Sequence, residues 1–475
     1  MGLSFAVSRF AKRSEDYQNE IQITVGYVYR KASGFPSVGV YNMRRLMQVR
    51  ALVLPIAGVL ALVGCGGGAS SSAGTVHVIA VWSGQEQASF MAVLKPFEDQ
   101  TGIKVDYEST RDEDAILTSR VAAGNPPDLA AAPSPQLLSQ FAKQGKVISL
   151  NDAVDMSALQ SSTAQSWIKL GEPLSDGKLY QIFAWAAVKG LIWYDPKNFQ
   201  AKGYNVPKSW DDLTNLSSQI KGSGTTPWCV TVESGSASGW PASDWLKEIV
   251  LSQAGPDVYD KWVAGTQKWT SPEIKQAWQT FGQILGPNDS NTYGGKQYIL
   301  ATNFGDVGTP MFQNPPKCYM LNQASFITTF FTSANPSLQA GTDFNFFPLP
   351  DISSQYTGAH VVAGDSFSMF KDTPQARKLI QYLTTAQAQD IWVKRGGKLA
   401  VNKQVSLDDY PDTLSKESAQ IIVNTQIAKY DATDNMPADM RTAAWKGLLD
   451  FISDQSKLDS ILANLDKVQA TAYHS

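Results

Sequence analysis

At 475 residues, 43% apolar and 17% charged, the chain has the composition of a globular protein and is too long for one ordinary core, so two domains are expected. A net charge of −3 without acidic or basic blocks argues against nucleic acid or a polyanion as partner. Only His77, His360 and His474 are available for imidazole chemistry, so a histidine-based metal centre or triad is disfavoured, and no metal or cofactor is expected.

Residues 1–42 are mixed in composition and precede a second plausible start at Met43. From there the pattern is that of a secretion signal: basic residues through Arg50, an apolar run over 51–63, then Gly64-Cys65. The run is short and contains Pro55, which favours a signal over a spanning helix. Residues 62–65 (Leu-Val-Gly-Cys) resemble the bacterial lipobox, which makes Cys65 the lipidated first residue of the mature chain. The Gly- and Ser-rich stretch 66–74 reads as a flexible tether. The expected product is anchored by lipid to the outer face of the cell membrane and carries a net charge of about −8. Cys229 and Cys318 then remain, and an even pair in an exported protein reads as one disulfide, with two buried free thiols as the alternative.

In chain order, residues 75–82 read as a strand, 83–86 as a turn, and 88–100 as a helix with Phe90, Val93, Leu94 and Phe97 on one face. Gly102 is a natural helix stop. A second strand (103–107) and helix (112–123) follow, so the pattern is an α/β sheet with helices on its faces. Ligands of such sheets bind beyond the carboxyl ends of the strands, where Gln85, Glu86 and Arg111 fall. Residues 179–194 form an apolar extended run longer than one strand, as expected of a segment that leaves one sheet and enters another. Residues 343–350 look like its return. Further amphipathic helices are predicted over 211–220, 244–254, 271–285, 374–384 and 440–452.

Residues 228–245 stand out. A short strand-like run (229–232) ends on Glu233, five of the next six residues are Gly or Ser, and Trp240-Pro241 opens a helix. Small residues let backbone approach a ligand closely, while indole faces and a carboxylate suit a molecule with both hydroxyls and C–H faces, such as a sugar. The same tryptophans would also serve as core aromatics closing a strand-to-helix corner.

The segments FEDQTGIKVDY, AGNPPDLAAAP, LIWYDPKNFQAKGYNVPKSWDDL, PWCVTVESGSASGWPASDW, PMFQNPPKCYM, GDSFSMFKDTP and DNMPADM, in this order, resemble the bacterial extracellular solute-binding proteins of sugar-uptake ABC transporters, of the maltose-binding-protein type and nearest its α-glucoside branch. The resemblance implies a two-lobed periplasmic-binding-protein fold (type II) with crossing hinge strands. Residues 1–64 would be extension and signal, 65–74 lipidated Cys and tether, 75–187 and 347–390 lobe 1, and 188–346 and 391–475 lobe 2. It also implies an oligosaccharide ligand, a membrane permease as partner and a monomeric receptor. Carried over residue by residue, it points to Gln85, Glu86, Arg111, Glu233, Trp240, Asp306, Gln323, Gly364 and Asp365 as ligand contacts, with Trp185 as an exposed aromatic platform. Arg395 and Lys398 are weaker candidates, because the wording around Gly396-Gly397 departs from the family's. The rival function is a secreted glycoside hydrolase, which needs a carboxyl pair across the bond, at about 5–5.5 or 6.5–9.5 Å. Glu86, Glu233 and Asp306 are available, but none stands in a hydrolase-like context, and anchor plus tether suit a receptor.

Overall fold

On the first strand Val76 and Val78 are buried with Phe90, Val93, Leu94 and Phe97 of the following helix (Gly84–Thr101), and Ile79 is buried on the opposite face. The helix ends at Gly102, which adopts the left-handed conformation that glycine accepts without strain. This βα pattern opens the computed structural model of the chain, which describes residues 73–473 apart from Gln426. The expectations for the secretion signal, for Cys65 and for most of the tether lie outside the described residues.

Eleven strands are present among the described residues, in two sheets. The larger contains β1 (Thr75–Ala80), β2 (Lys104–Ser109), β3 (Leu129–Ala132) and β4 (Ile182–Val188). The smaller contains β5 (Leu191–Tyr194), β6 (Thr226–Trp228), β7 (Cys318–Gln323) and β8 (Asn345–Pro348), in the order β6-β7-β5-β8. The larger sheet is completed by β9 (Ala359–Met369), β10 (Leu399–Ala400) and β11 (Ile427–Tyr430), giving the order β10-β4-β9-β3-β1-β2 with β11 also paired to β9. β1 runs parallel to β2 and β3, and β9 antiparallel to β3 and β4.

The apolar run 179–194 does change sheets. It breaks at Lys189-Gly190, with β4 in the larger sheet and β5 in the smaller. All seven residues of β4 are buried, so the strand shows no alternation and reads as an unbroken apolar run. Segment 343–350 differs from expectation: β8 is still paired to β5, and the chain reaches the larger sheet only at β9. The outgoing and returning chains are stitched together by Lys189 N–H to the Val361 carbonyl (2.9 Å) and Leu349 N–H to the Gly190 carbonyl (2.8 Å). Gly190 has a φ of +64°, and a Cβ there would stand 2.4 Å from the Glu248 carboxyl carbon.

Each sheet has a core of its own, and a third cluster, with Phe183 and Val188 from the larger sheet and Leu191, Trp193 and Leu321 from the smaller, spans the two. Trp82, Phe90, Trp185, Phe367 and Trp392 pack together against the larger sheet. Trp228, Trp245, Trp262, Trp269 and Trp278 fill the smaller sheet's core, with helices Trp240–Ala254, Pro272–Leu285, Ala438–Ser453 and Leu458–Ala472. The chain crosses a third time after β11, since β10 and β11 belong to the larger sheet and the last two helices pack on the smaller one's core. Cys229 and Cys318 form a disulfide with a Cα–Cα separation of 5.4 Å, tying the chain just after β6 to the start of β7. Its 89-residue span is worth about 4.6 kcal/mol by the chain-entropy argument.

Candidate functional site

The ends of β1 and β2, the crossing residue Lys189 and the loop after β6 surround one pocket between the two cores. It encloses about 710 Å³ of space, part of it open to solvent. From the larger sheet's side come Trp82, Glu86, Arg111, Glu113, Asp365 and Lys398. The opposite wall carries Ser234, Ala237, Trp240, Phe304, Phe326 and Trp445, with Lys189, Lys247, Asp431 and Asp434 at the crossings. Ser134 Oγ donates to the Asp434 carbonyl (2.7 Å), joining the two walls.

Charge in this pocket is heavy but nearly balanced. Lys398 Nζ lies 2.7 Å from Asp365 and 3.6 Å from Glu86, and Arg111 lies 3.7 Å from Glu86. Burial works to lower the Lys398 pKa, but Asp365 and Glu86 overcome it and leave the ammonium above the usual lysine value. Behind the pocket, Lys189 sits 3.0 Å from Asp244 and 3.6 Å from Asp431, while Lys247 pairs with Asp244 (2.7 Å) and with Asp431. Burial pushes Glu113 up to about 8, helped by Asp114, and burial beside Asp431 pushes Asp434 up to about 7. With Glu113 protonated and Asp434 titrating near neutrality, Glu86, Asp365, Asp244 and Asp431 are set against Lys398, Arg111, Lys189 and Lys247. Such a balanced site suits an uncharged, polar ligand. Two buried polar atoms of wall residues, Trp82 Nε1 and Ser234 Oγ, have no hydrogen-bond partner within the protein. Trp445 is partly exposed and fixed by its Nε1–H to Thr433 Oγ1 (3.3 Å), while Gly239 approaches its backbone so closely that a Cβ would meet the Trp445 carbonyl at 2.7 Å.

Residues 82–390 match the family model of the bacterial extracellular solute-binding proteins. The chain belongs to this family. Two curated relatives run along most of it. The osmoprotective compounds-binding protein GgtB of Synechocystis sp. is 34% identical over 86% of this chain and 96% of its own. The α-glucosides-binding periplasmic protein AglE of Rhizobium meliloti is 33% identical over 81% and 85%. Among solved structures, a chitin oligosaccharide binding protein superposes with a TM-score of 0.73 at 18% identity, covering 84% of this chain and 99% of that one. Maltose-bound MalE3 of T. maritima gives 0.65 at 17% identity, covering 84% and 99%. The fold is therefore the two-lobed type II solute-receptor fold. This solute-binding protein is a binding component of an ABC importer and not a hydrolase, which settles the rivalry left open by the sequence. No helix among the described residues is long and apolar enough to cross a membrane.

Of the residues singled out from sequence, Glu86, Arg111, Trp240 and Asp365 meet on the pocket wall of the solute-binding protein, joined by the weaker candidate Lys398. Gln85 is exposed on the same helical turn as Glu86 but is not among the wall residues. Glu233 lies one residue from the wall. Its carboxylate accepts from Gly235 N–H (2.7 Å) and Asn303 Nδ2 (2.8 Å), which hold its pKa below the usual range and leave Ser234 and Ala237 to face the pocket.

Trp185 is not an exposed platform. It is fully buried against Trp82 and Trp392, and its Nε1–H donates to the Gln389 carbonyl (3.2 Å), because β4 is covered on both faces. Asp306 is exposed at the end of a single turn (Phe304–Asp306) capped by Asn303, and Phe304 is the residue of that turn on the wall. Gln323 is buried with its Oε1 turned back to Ala324 N–H (2.9 Å). Gly364 serves strand packing: a Cβ there would stand 2.9 Å from the Trp185 carbonyl and 3.0 Å from the Trp167 ring. Arg395 points away to Ser89 Oγ (3.1 Å).

Sequence reasoning passed over Trp82, Lys189, Phe304, Phe326, Asp431, Asp434 and Trp445. A signal existed for two of them. Trp82 closes the first strand directly before the turn carrying Gln85 and Glu86, and Asp434 lies in the segment DNMPADM.

Proposed function

We propose that this solute-binding protein captures an α-glucoside or related oligosaccharide between its lobes and delivers it unaltered to a membrane permease. The sequence-derived lobe bounds shift with the sheets: one lobe is built on residues 75–188 and 359–430, the other on residues 191–348 and 431–473, because β10 and β11 pair into the larger sheet and the chain crosses back only after β11. It acts as a monomer held by lipid on Cys65. The observation that carries this reading is the pocket itself: nearly neutral, rich in hydrogen-bonding groups, with the indoles of Trp240 and Trp445 on one wall and unpartnered donors at Trp82 and Ser234. Planar carboxylates and guanidinium recognise hydroxyls in fixed directions, and ring faces cover the sugar's C–H patches. Glu86, Arg111, Asp365, Lys398, Trp240 and Trp445 are the contacts expected to matter most. Gln85, at the pocket edge, would engage as the lobes move. Closure buries both faces of the sugar, and the closed form is what a permease reads. The names of GgtB and AglE support an osmoprotective or α-glucoside ligand class.

The test is a calorimetric titration with maltose, trehalose and longer α-glucosides, followed by chromatography of the recovered sugar. Saturable heat with intact sugar supports capture. Turnover, or no heat with any saccharide, sinks it. Intact mass of the cell-derived protein checks the anchor, with a chain beginning at lipidated Cys65 expected and an unlipidated product from Met1 overturning it.

A further inference from the structure

The loop between β2 and helix Glu113–Ala122 reaches the opposite lobe at two places. At one end Ser236 Oγ donates to the Arg111 carbonyl (3.0 Å), and the Arg111 guanidinium lies 5.2 Å from the centre of the Phe304 ring. At the other end Asp114 accepts from Arg441 of helix Ala438–Ser453. Between the two contacts, Glu113 lines the pocket.

Both anchors of the second contact are rigid. Asp114 starts a helix whose Leu117 and Val121 are packed beneath the larger sheet, and Arg441 follows Met440 on a helix whose Ala444 and Leu448 are buried in the other core. Arg441 is 1% exposed, and its guanidinium stacks 5.5 Å from the centre of the Trp445 ring. Its Nε and Nη1 and the Asp114 Oδ1 make no hydrogen bond, so Asp114 is the carboxylate in direct contact with this buried charge, with Glu113 and Asp434 acting on it from farther off. Breaking one half of a buried pair is far more costly than breaking a surface pair.

We infer that residues 111–114 form a bar across the mouth of the cleft, held by the Arg441–Asp114 pair, which restricts the site to mono- and disaccharides and excludes longer chains. The inference rests on the sugar-binding reading. A longer saccharide would have to pass between the lobes, and beside the pocket the Ser236–Arg111, Arg111–Phe304 and Asp114–Arg441 contacts hold the two lobes together. Passing there would separate Asp114 from Arg441 and strand a guanidinium that is otherwise shut away from water.

The experiment is calorimetric titration of the full chain with maltose, trehalose, maltotetraose and maltohexaose, repeated on Asp114→Ala, Arg441→Gln and the double variant. The native chain should prefer the better disaccharide over maltotetraose by at least about thirtyfold in Kd, about 2 kcal/mol. Either single variant should narrow that ratio to within about threefold, and the double variant no further, because the two residues act as one contact. A native chain that binds maltotetraose as tightly as the disaccharide overturns the bar while leaving sugar binding intact. So does an unchanged ratio in the variants, parallel loss of both ligands included. Absence of heat with every saccharide instead removes the sugar-binding reading, and the bar with it. If Arg441→Gln does not fold, as judged by its thermal transition, Asp114→Ala at the partly exposed helix start decides the matter.

Discussion

Two clusters of charge meet at the cleft and differ in what they leave free. Around Lys398, one ammonium is shared by Asp365 and Glu86 at unequal distances, with Arg111 farther off, so carboxylate oxygens remain to accept from a ligand. Around Lys189 and Lys247, two ammoniums and the carboxylates of Asp244 and Asp431 interlock. That second cluster draws on a crossing segment, a helix and the stretch after β11. Its members answer one another, and it works as a joint. The comparison teaches that proximity to the cleft does not make a charge a ligand contact; spare hydrogen-bonding capacity does.

The largest expected effect comes from spoiling the joint. Asp431→Ala leaves the two buried ammoniums with Asp244 in contact and Asp434 farther off, and should destabilise the protein by about 3–5 kcal/mol in urea denaturation. A loss under 1 kcal/mol would place Asp431 with the looser cluster. Lys398→Met breaks the other cluster and should act on the ligand first: sugar affinity falls about a hundredfold, about 2.7 kcal/mol, with a smaller change in thermal stability. If the thermal transition collapses and affinity in the folded fraction is kept, the two clusters are alike after all. Trp445→Ala, which removes a wall while keeping both clusters, should weaken binding about tenfold in the same titration.

The joint's surroundings are tested last, by a slope with pH. Burial pushes the Glu248 carboxyl up to about 8, so from about pH 4.5 to 8 the folded chain holds a proton that the unfolded chain has released. The stability due to this group is complete below about 4.5 and is lost as pH rises through about 8. Denaturation of Glu248→Gln between pH 6 and 9 should show a shallower decline than the native chain, by at most about 1.4 kcal/mol per pH unit. Equal slopes would mean that Glu248 does not titrate there.

Much of the architecture was legible because it is written in runs. The sixteen-residue apolar stretch 179–194 exceeds one strand, and only a sheet change explains it. The Gly- and Ser-rich turn after Glu233 was legible as a loop at the cleft, but that Ser234 and Ala237 rather than Glu233 stand on its wall was not, because nothing local reveals that Asn303 holds the carboxylate. Trp185 and Trp445 were harder. Each sits in an apolar pattern that fits core, and which indole reaches the cleft depends on what covers β4 and on how helix Ala438–Ser453 lies against the loop at Gly239. Lys189 and Asp431 gave no signal, since Lys189 lies 55 residues from Asp244 and Asp431 lies 184 from Lys247, while Asp244 and Lys247, one helical turn apart, read as an ordinary surface pair.

At Gly190 the main chain passes from one half of the molecule to the other through a gap with room for a hydrogen atom and little else, the Glu248 carboxyl filling the place a methyl group would take. Glu248 in turn accepts the Val361 N–H on the strand coming back, so any bulk added at 190 would act as a wedge driven between the outgoing and the returning chain.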